Sequence, residues 1–291
     1  MPLTLHLGAH KTATTHLQES LRMALSSLHN AGVHYMGPKD LREGRGPLIQ
    51  GLSGPARSPA LYRCRRHFHL AAGFYPETIL SDENILGGTR RHRLFSSDGR
   101  IYPEAEGRLG VLSWVLDHQP IIAALSVRDP AQYNISAFAL QLWQGTELEL
   151  PAFLAGRDPA AISWTDLARR ILSVRGISRL IVWRYEDYHA LRPSILHELL
   201  PPQVVRQVPD PRPANVSISQ PAYDWLIRQA MKDDETDLRI LARRARNRFP
   251  RSDANAPLEL LDRDTLARSA ENYRRDIEQL RRVPDVDFLV P

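Results

Sequence analysis

The chain has 291 residues, of which 43% are hydrophobic and 24% charged, the balance of an ordinary globular protein with a substantial core. One cysteine, Cys64, excludes an internal disulfide and a multi-thiolate metal site, and no apolar run reaches the roughly 18 residues that a membrane-spanning helix needs. A net charge of +5 favours polyanionic partners without choosing among nucleotides, acidic glycans, anionic lipids and nucleic acid.

The ends and the length of the sequence bear on its compartment and organisation. The N-terminus enters the first predicted strand directly and lacks the charged segment and apolar core of a signal peptide. We therefore expect a cytoplasmic protein without a transmembrane segment. No internal repeat or low-complexity tract is apparent, and we expect a single domain over residues 1–291.

The N-terminal stretch predicts a strand, a tight loop and a helix. Alternating leucines over residues 3–7 indicate a strand that ends at Gly8, and leucines four residues apart over 17–25 indicate a helix that begins near Thr14. The first amides of a helix are unpaired and lie at the positive end of its dipole, so an anion is expected here. Lys11 adds a positive charge inside the loop.

Other residues of this loop qualify the prediction. The hydroxyl groups of Thr12, Thr14 and Thr15 could reach phosphate oxygens or cap the helix. The nucleotide-binding motif Gly-x-x-x-x-Gly-Lys-Ser/Thr is not met, because His10 precedes the lysine and no second glycine follows Gly8. A kinase or GTPase loop therefore fits poorly.

The remaining chain alternates between strand and helix patterns. Residues 37–60 are rich in turn formers and predict an irregular excursion near the site. Alternation of this kind predicts the α/β class, as a P-loop-like three-layer domain with a central, mainly parallel sheet flanked by helices. The predicted strands cover 77–81, 121–127 and a segment within 179–188, and the predicted helices cover 58–72, 103–118, 220–248 and 258–282.

Two polar residues follow the most apolar predicted strand. Arg128 ends that strand, Asp129 and Pro130 suit the cap and first turn of a helix, and Ser136 lies about one and a half turns inside it. Ligands of open parallel sheets bind beyond the carboxyl ends of the strands. Arg128 and Ser136 are therefore expected on the same rim as Lys11.

The segment from Gly8 to Thr15 resembles the phosphosulfate loop of sulfotransferases that use 3′-phosphoadenosine 5′-phosphosulfate (PAPS). The bacterial branch of that family reads His-Lys-Thr-Gly-Thr-Thr, and Ala13 stands here in place of the glycine. Arg128 and Ser136 resemble the family's 3′-phosphate clamp, and the segment 212–217 resembles its late loop over the nucleotide. The resemblance implies that the donor is bound by His10, Lys11, Thr12, Ala13, Thr14, Thr15, Arg128, Ser136, Arg212, Asn215 and Ser217.

The resemblance also implies sulfuryl transfer from PAPS to a hydroxyl of a sugar, glycolipid or small molecule, with adenosine 3′,5′-bisphosphate (PAP) as product and no metal. Lys11 would stabilise the leaving phosphate, and Glu83, after the strand at 77–81, is the expected base. Asp82 competes for that role, and His10 and His92 are further possibilities. Arg184 and Glu186, in an Arg-Tyr-Glu-Asp segment similar to one in the family, are expected to be structural.

Two other functions remain open at this point. A nucleotide kinase with an atypical phosphate loop would need a magnesium ligand that only Asp82 or Asp129 could supply. A non-catalytic module of the same fold could tether a nucleotide or polyanion. The arginine run 239–251 predicts a solvated face first and the binding of an acidic glycan or a lipid headgroup second. We expect no nucleic acid, because aromatic residues do not interleave with the basic ones.

Overall fold

The structure of the protein is a computed structural model, and it describes residues 3–43, 47–55, 57–212, 217–232 and 237–291. Within them six strands form one sheet in the order β2-β3-β1-β4-β5-β6, and every neighbouring pair runs parallel. This all-parallel sheet confirms the predicted α/β class. The strands are β1 (Leu3–His6), β2 (Val33–Met36), β3 (Glu77–Ser81), β4 (Ile121–Val127), β5 (Ile177–Arg184) and β6 (Val286–Phe288).

Helices connect the strands, and several begin at a serine or aspartate whose side chain accepts a hydrogen bond from the first turn, as at Ser58 and Asp129. None of the helices in the described ranges has the length and apolar character needed to cross a membrane. The helices are α1 (Thr14–Met23), α2 (Leu25–Asn30), α3 (Pro38–Glu43), α4 (Leu48–Leu52), α5 (Pro59–Ala72), α6 (Arg91–Leu94), α7 (Ala105–Val115), α8 (Pro130–Gln144), α9 (Leu150–Leu154), α10 (Trp164–Leu172), α11 (Tyr188–Leu199), α12 (Pro202–Val205), α13 (Gln220–Ala230), α14 (Leu238–Arg248) and α15 (Arg263–Leu280).

The two faces of the sheet carry separate hydrophobic cores, because side chains alternate between the faces along each strand. Leu125 of β4 belongs to the core that includes side chains of α7, α10 and α15. Its neighbour Ala124 belongs to the core that includes side chains of α1 and α11. Helices therefore cover both faces, which is the predicted three-layer arrangement.

The sequence prediction of the elements was correct for the long, periodic segments. Strands at 77–81 and 121–127 and a helix close to 58–72 are all present. The short edge strands β2 and β6 were not predicted, and residues 37–60 contain α3 and α4 rather than an irregular path alone. The helix predicted over 220–248 is also wrong, because α13 and α14 are separate helices.

The strand order creates a crevice at the carboxyl ends of β1 and β4. From β1 the chain moves to β2 and β3 on one side, then crosses to β4 on the other side of β1. The connections after β1 and β4 therefore leave in opposite directions, and such a switch point is where open α/β sheets bind ligands. The loop after β1 and the residue Arg128 after β4 lie at this point.

His6, the last residue of β1, is buried beneath the loop. Its ring stacks on that of Trp183 with centroids 6.1 Å apart, and its Nδ1 atom lies 2.7 Å from the Ser81 hydroxyl. Burial lowers the pKa of His6 to about 4. The folded chain therefore holds this ring neutral at pH values where an unfolded chain would protonate it.

We expect the free energy of unfolding to fall as the pH drops from about 6.5 towards 4, because only the unfolded state gains a proton on His6. The pKa shift corresponds to roughly 3 kcal/mol at the acid end. The thermal midpoint should fall less between neutral and acid pH in His6→Gln than in the wild type. In His69→Gln, which alters an exposed histidine, it should fall as much as in the wild type. Equal acid losses in wild type and His6→Gln would contradict the assignment.

Candidate functional site

The loop between β1 and α1 presents a row of free backbone amides. Lys11 and Ala13 adopt left-handed conformations, with φ of 68° and 63°. The N–H groups of residues 11–15 have no acceptor among the described residues, and no side chain caps the start of α1. Successive amides in such a conformation form an anion-binding concavity, and the positive end of the α1 dipole reinforces it.

The backbone of this loop is fixed by its own residues and by β4. Gly8 has φ of 48°, and a Cβ atom there would collide with the side chain of Thr14. The Thr12 hydroxyl donates to the Ala9 carbonyl at 2.6 Å, and the Ala9 amide donates to a carbonyl of β4. The hydroxyl of Thr12 therefore closes the loop, which leaves Thr14 and Thr15 as the loop hydroxyls that have no hydrogen bond to a described residue.

His10 anchors the loop from behind. Both its backbone amide and its Nδ1 atom lie 2.8 Å from the hydroxyl of Tyr102, which lies 2.9 Å from the hydroxyl of Tyr133. The amide of Asn84 satisfies its neighbours when its nitrogen faces His10 Nε2 at 3.1 Å. The His10 ring then carries its proton on Nδ1, and Tyr102 accepts twice and donates to Tyr133. Every polar atom of the His10 ring is engaged within the protein.

Arg128 lies beside the loop, as predicted from the strand ends. Its Nη1 atom donates to the Lys11 carbonyl at 2.9 Å, and its guanidinium lies 4.4 Å from the centre of the Tyr185 ring. The Nε–H of Arg128 is buried and has no partner among the described residues. Ser136, on α8, is 8% exposed and makes no hydrogen bond to a described residue. The crevice therefore offers a guanidinium beside the amide row, and α8, which follows Arg128, carries the Ser136 hydroxyl.

The positive charges of the crevice repel one another. Burial lowers the pKa of Lys11, and the charge of Arg128 lowers it further, whereas Glu83 opposes the shift. Burial also lowers the pKa of Arg128. Both cations are thus partly withdrawn from water, and an anion placed between them would relieve their desolvation and mutual repulsion.

The two candidate carboxylates after β3 differ in their surroundings. Asp82 is fully buried and receives two hydrogen bonds from Arg42, at 2.8 and 2.7 Å. Glu83 keeps 16% of its side chain exposed, and its two oxygens accept from Arg42 at 3.2 Å and from Gln18 at 3.0 Å. Asp82 is therefore held in a structural ion pair, and Glu83 is the carboxylate that solvent and a substrate can reach.

The electrostatic environment keeps Glu83 ionised. Burial raises its pKa, but the interaction with His10 and the hydrogen bond from Gln18 outweigh this effect, so its pKa lies below the ordinary value. Burial instead raises the pKa of Asp82. Glu83 is thus a carboxylate, able to accept a proton, at neutral pH.

Other predicted residues occupy peripheral or structural positions. Arg184 forms a two-point ion pair with Asp187, and Glu186 accepts from the Asp129 amide and from Tyr273. These contacts match the structural role expected for both residues. Arg212 is exposed, Ser217 is partly buried, and neither makes a hydrogen bond to a described residue; Asn215 lies outside the described residues, and His92 is exposed on α6.

Sequence reasoning missed several residues of the site. Tyr102 and Gln18 carry no motif, and Arg42 was expected only as part of an excursion near the site. Tyr102 reaches His10 because its own backbone is left-handed, with φ of 47°, and because its carbonyl accepts from Arg170 at 2.9 Å. No local sequence pattern predicts a contact between residues 92 positions apart.

Comparison with solved structures finds several similar chains. The crystal structure of a sulfotransferase from Alicyclobacillus acidocaldarius is similar over 99% of this chain and 97% of its own, with 13% sequence identity and a TM-score of 0.46. No family model and no curated protein sequence matches the chain. Similarity at this level does not establish a shared activity, so function has to be argued from the site itself.

Replacing Tyr102 with phenylalanine tests the anchor behind the loop. The substitution leaves two His10 donors without an acceptor in a buried site, so we expect the free energy of unfolding to fall by roughly 1–3 kcal/mol. Urea titration measures the change, and Tyr62→Phe, which removes a hydroxyl from a half-exposed ring, should be nearly neutral. Equal stability of the two variants would contradict the anchoring role.

Proposed function

We propose that the chain is a sulfotransferase that transfers a sulfuryl group from PAPS to an acceptor hydroxyl on a sugar, glycolipid or small molecule. The observation that carries the proposal is the contact between Arg128 and the Lys11 carbonyl, which brings the residue after β4 against a loop whose amides 11–15 have no acceptor among the described residues. We assign one anion site to Lys11 and those amides, and a second to Arg128 and Ser136 after the neighbouring strand. A nucleotide that bears phosphate at both its 5′ and 3′ positions would fill both sites.

The groups present fit such a donor. The amide row and the hydroxyls of Thr14 and Thr15 suit the 5′-phosphosulfate, and the unpartnered Nε–H of Arg128 and the Ser136 hydroxyl suit the 3′-phosphate. Ala13 contributes its amide, and His10 supports the loop from below. Arg212, Asn215 and Ser217 remain candidates to close over the nucleotide on the strength of the family resemblance.

The chain's own residues can supply what sulfuryl transfer needs. PAPS provides an activated sulfuryl group whose departure leaves negative charge on the phosphate. The backbone of the loop is already fixed, so Lys11 and the loop amides would stabilise that charge with little reorganisation. Glu83 can take the acceptor hydroxyl proton as the oxygen–sulfur bond forms and the bond from sulfur to phosphate breaks.

The kinase alternative loses its candidate metal ligands in this geometry. Asp82 is bound by Arg42 at two points, and Asp129 caps α8 and accepts from the Ser269 hydroxyl at 3.1 Å. A magnesium ion would have to displace these partners. A non-catalytic binding module would share the anion sites but would need no reachable carboxylate such as Glu83.

Ligand-induced stabilisation tests the two anion sites. We expect PAP, at about 100 times its dissociation constant, to stabilise the wild type by roughly 2.7 kcal/mol. Adenosine 5′-phosphate, which lacks the 3′-phosphate, and ATP with magnesium should stabilise it much less. Thermal shift with the three ligands, for wild type, Ser136→Ala and Arg128→Ala, measures this preference.

The variants sharpen that result. Ser136→Ala removes one hydroxyl and should reduce the preference for PAP over adenosine 5′-phosphate without changing the response to the latter. Arg128→Ala should abolish the preference. If ATP with magnesium stabilises best, or if neither variant changes the preference, the sulfotransferase proposal fails.

Two substitutions separate catalysis from donor binding. Lys11→Ala should lower turnover on the order of 10²–10³-fold, the range for loss of one preorganised donor to developing charge. Glu83→Gln should lower it roughly 10²–10⁴-fold, because the general base is removed, while the thermal shift with PAP persists. Since the pKa of Glu83 lies below its ordinary value, the wild-type rate should decline on the acid side only at a pH lower than that at which an ordinary glutamate is protonated.

Single-turnover rates with radiolabelled PAPS and an acceptor found by screening would measure both effects. If Glu83→Gln turns over like the wild type, Glu83 is not the base. If no alcohol, sugar or glycolipid supports turnover while PAP still binds, the chain is a non-catalytic binding module rather than an enzyme.

A further inference from the structure

The arginines of α14 do not all have the same environment. Arg243, Arg244, Arg246 and Arg248 form no ion pair with any described residue, whereas Arg239 pairs with Asp237. Three of these four side chains are exposed to solvent, but Arg246 is partly buried. The solvated face expected from the sequence therefore accounts for the three exposed side chains and leaves Arg246 to be explained.

Arg246 packs on an aromatic side chain of the crevice helix. Its guanidinium carbon lies 4.8 Å from the centre of the Trp143 ring. Trp143 follows Ser136 by seven residues on α8, which places it on the same helix face about 10 Å further along. The partly exposed Trp143 ring and Arg246 thus extend the wall that begins at the proposed 3′-phosphate site.

The same arginine is close enough to act on the loop lysine. Burial and Arg128 lower the pKa of Lys11, and the charge of Arg246 contributes in the same direction. α14, which carries Arg246, packs against α8, so the pair formed by Trp143 and Arg246 lies beside the helix that begins at the crevice. A negatively charged molecule bound beside Arg246 would offset the repulsion among the positive charges of Arg246, Lys11 and Arg128.

A second basic segment meets the same part of α8. Gln141 donates to the Thr89 carbonyl at 2.7 Å, and Gln144 donates to the Thr89 hydroxyl at 2.9 Å. The next residues, Arg90 and Arg91, are exposed and form no ion pair with a described residue. Cations from two separate parts of the chain therefore border the end of α8 that carries Trp143.

We propose that Trp143 and Arg246 form a subsite for an acidic saccharide, which deepens and rests on the proposed sulfotransferase function. The part of the indole ring that Arg246 leaves exposed offers an apolar surface for a sugar, and the guanidinium offers paired donors for the carboxylate or sulfate of that sugar. A nucleic acid strand would need a series of aromatic platforms along a basic groove. One tryptophan beside several arginines that form no ion pair with a described residue suits a charged sugar instead.

Titration calorimetry with two matched oligosaccharides tests the subsite. Hyaluronan tetrasaccharide carries two carboxylates, and tetra-N-acetylchitotetraose has the same number of sugars without charge. With PAP present, we expect the wild type to bind the acidic saccharide at least about tenfold more tightly, and added salt to weaken that binding. Arg246→Gln and Trp143→Leu should each weaken it about tenfold.

Arg244→Gln is the matched control, because it makes the same change of charge on the same helix at an exposed position. Its effect should stay within about twofold. If Arg244→Gln and Arg246→Gln weaken saccharide binding equally, binding depends on overall positive charge rather than on a specific subsite, and the proposal is overturned. Equal binding of the two saccharides, no binding of the acidic one, or tighter binding of a uridine oligonucleotide would overturn it as well.

The donor site is followed separately in the same variants. Arg246→Gln should keep the thermal shift with PAP; loss of that shift with saccharide binding intact would assign Arg246 to the donor and overturn the subsite. If PAP fails to stabilise the wild type but the saccharide titrations without PAP behave as expected, the subsite is supported and the sulfotransferase assignment fails.

Discussion

The site depends on keeping five consecutive backbone amides, those of residues 11–15, away from every acceptor in the part of the chain that the structure describes. Buried amides without partners are unfavourable, so a flexible loop would turn them towards nearby carbonyls. Here Gly8, the Thr12 hydroxyl and the hydrogen bonds to β4 hold the loop backbone, and Tyr102 holds it through His10. The surrounding structure therefore maintains an unfavourable arrangement that a bound anion would turn into a favourable one.

The arrangement of carboxylates follows from one shared arginine. Arg42 saturates Asp82 with two hydrogen bonds and reaches Glu83 with one longer contact. A buried carboxylate needs such a cationic partner. Arg42 is that partner for Asp82, and Glu83 is the more exposed carboxylate of the two. Adjacent residues of the same chemical type are thereby separated into a structural anion and a reachable base.

The parts of the site that were predictable from sequence lie at the ends of long apolar strands. Arg128 follows β4, and parallel strands place such residues on one rim, so its position beside Lys11 followed from general rules. Tyr102 and Trp143 were not predictable in this way, because their roles depend on tertiary contacts rather than on periodicity. β6 was missed because three residues are too few for alternation to be distinguished from chance, and β2 because its sequence Val-His-Tyr-Met lacks the regular alternation that the leucines at 3, 5 and 7 give β1.

Ala13 affects the entropy that the loop loses when a ligand binds. An alanine at φ of 63° is held in a narrow left-handed basin, whereas glycine moves freely between both halves of the backbone map. The loop therefore samples fewer backbone conformations than a loop with glycine at this position would. It loses less conformational entropy when an anion binds. Part of the ordering that binding would otherwise require has already been completed during folding.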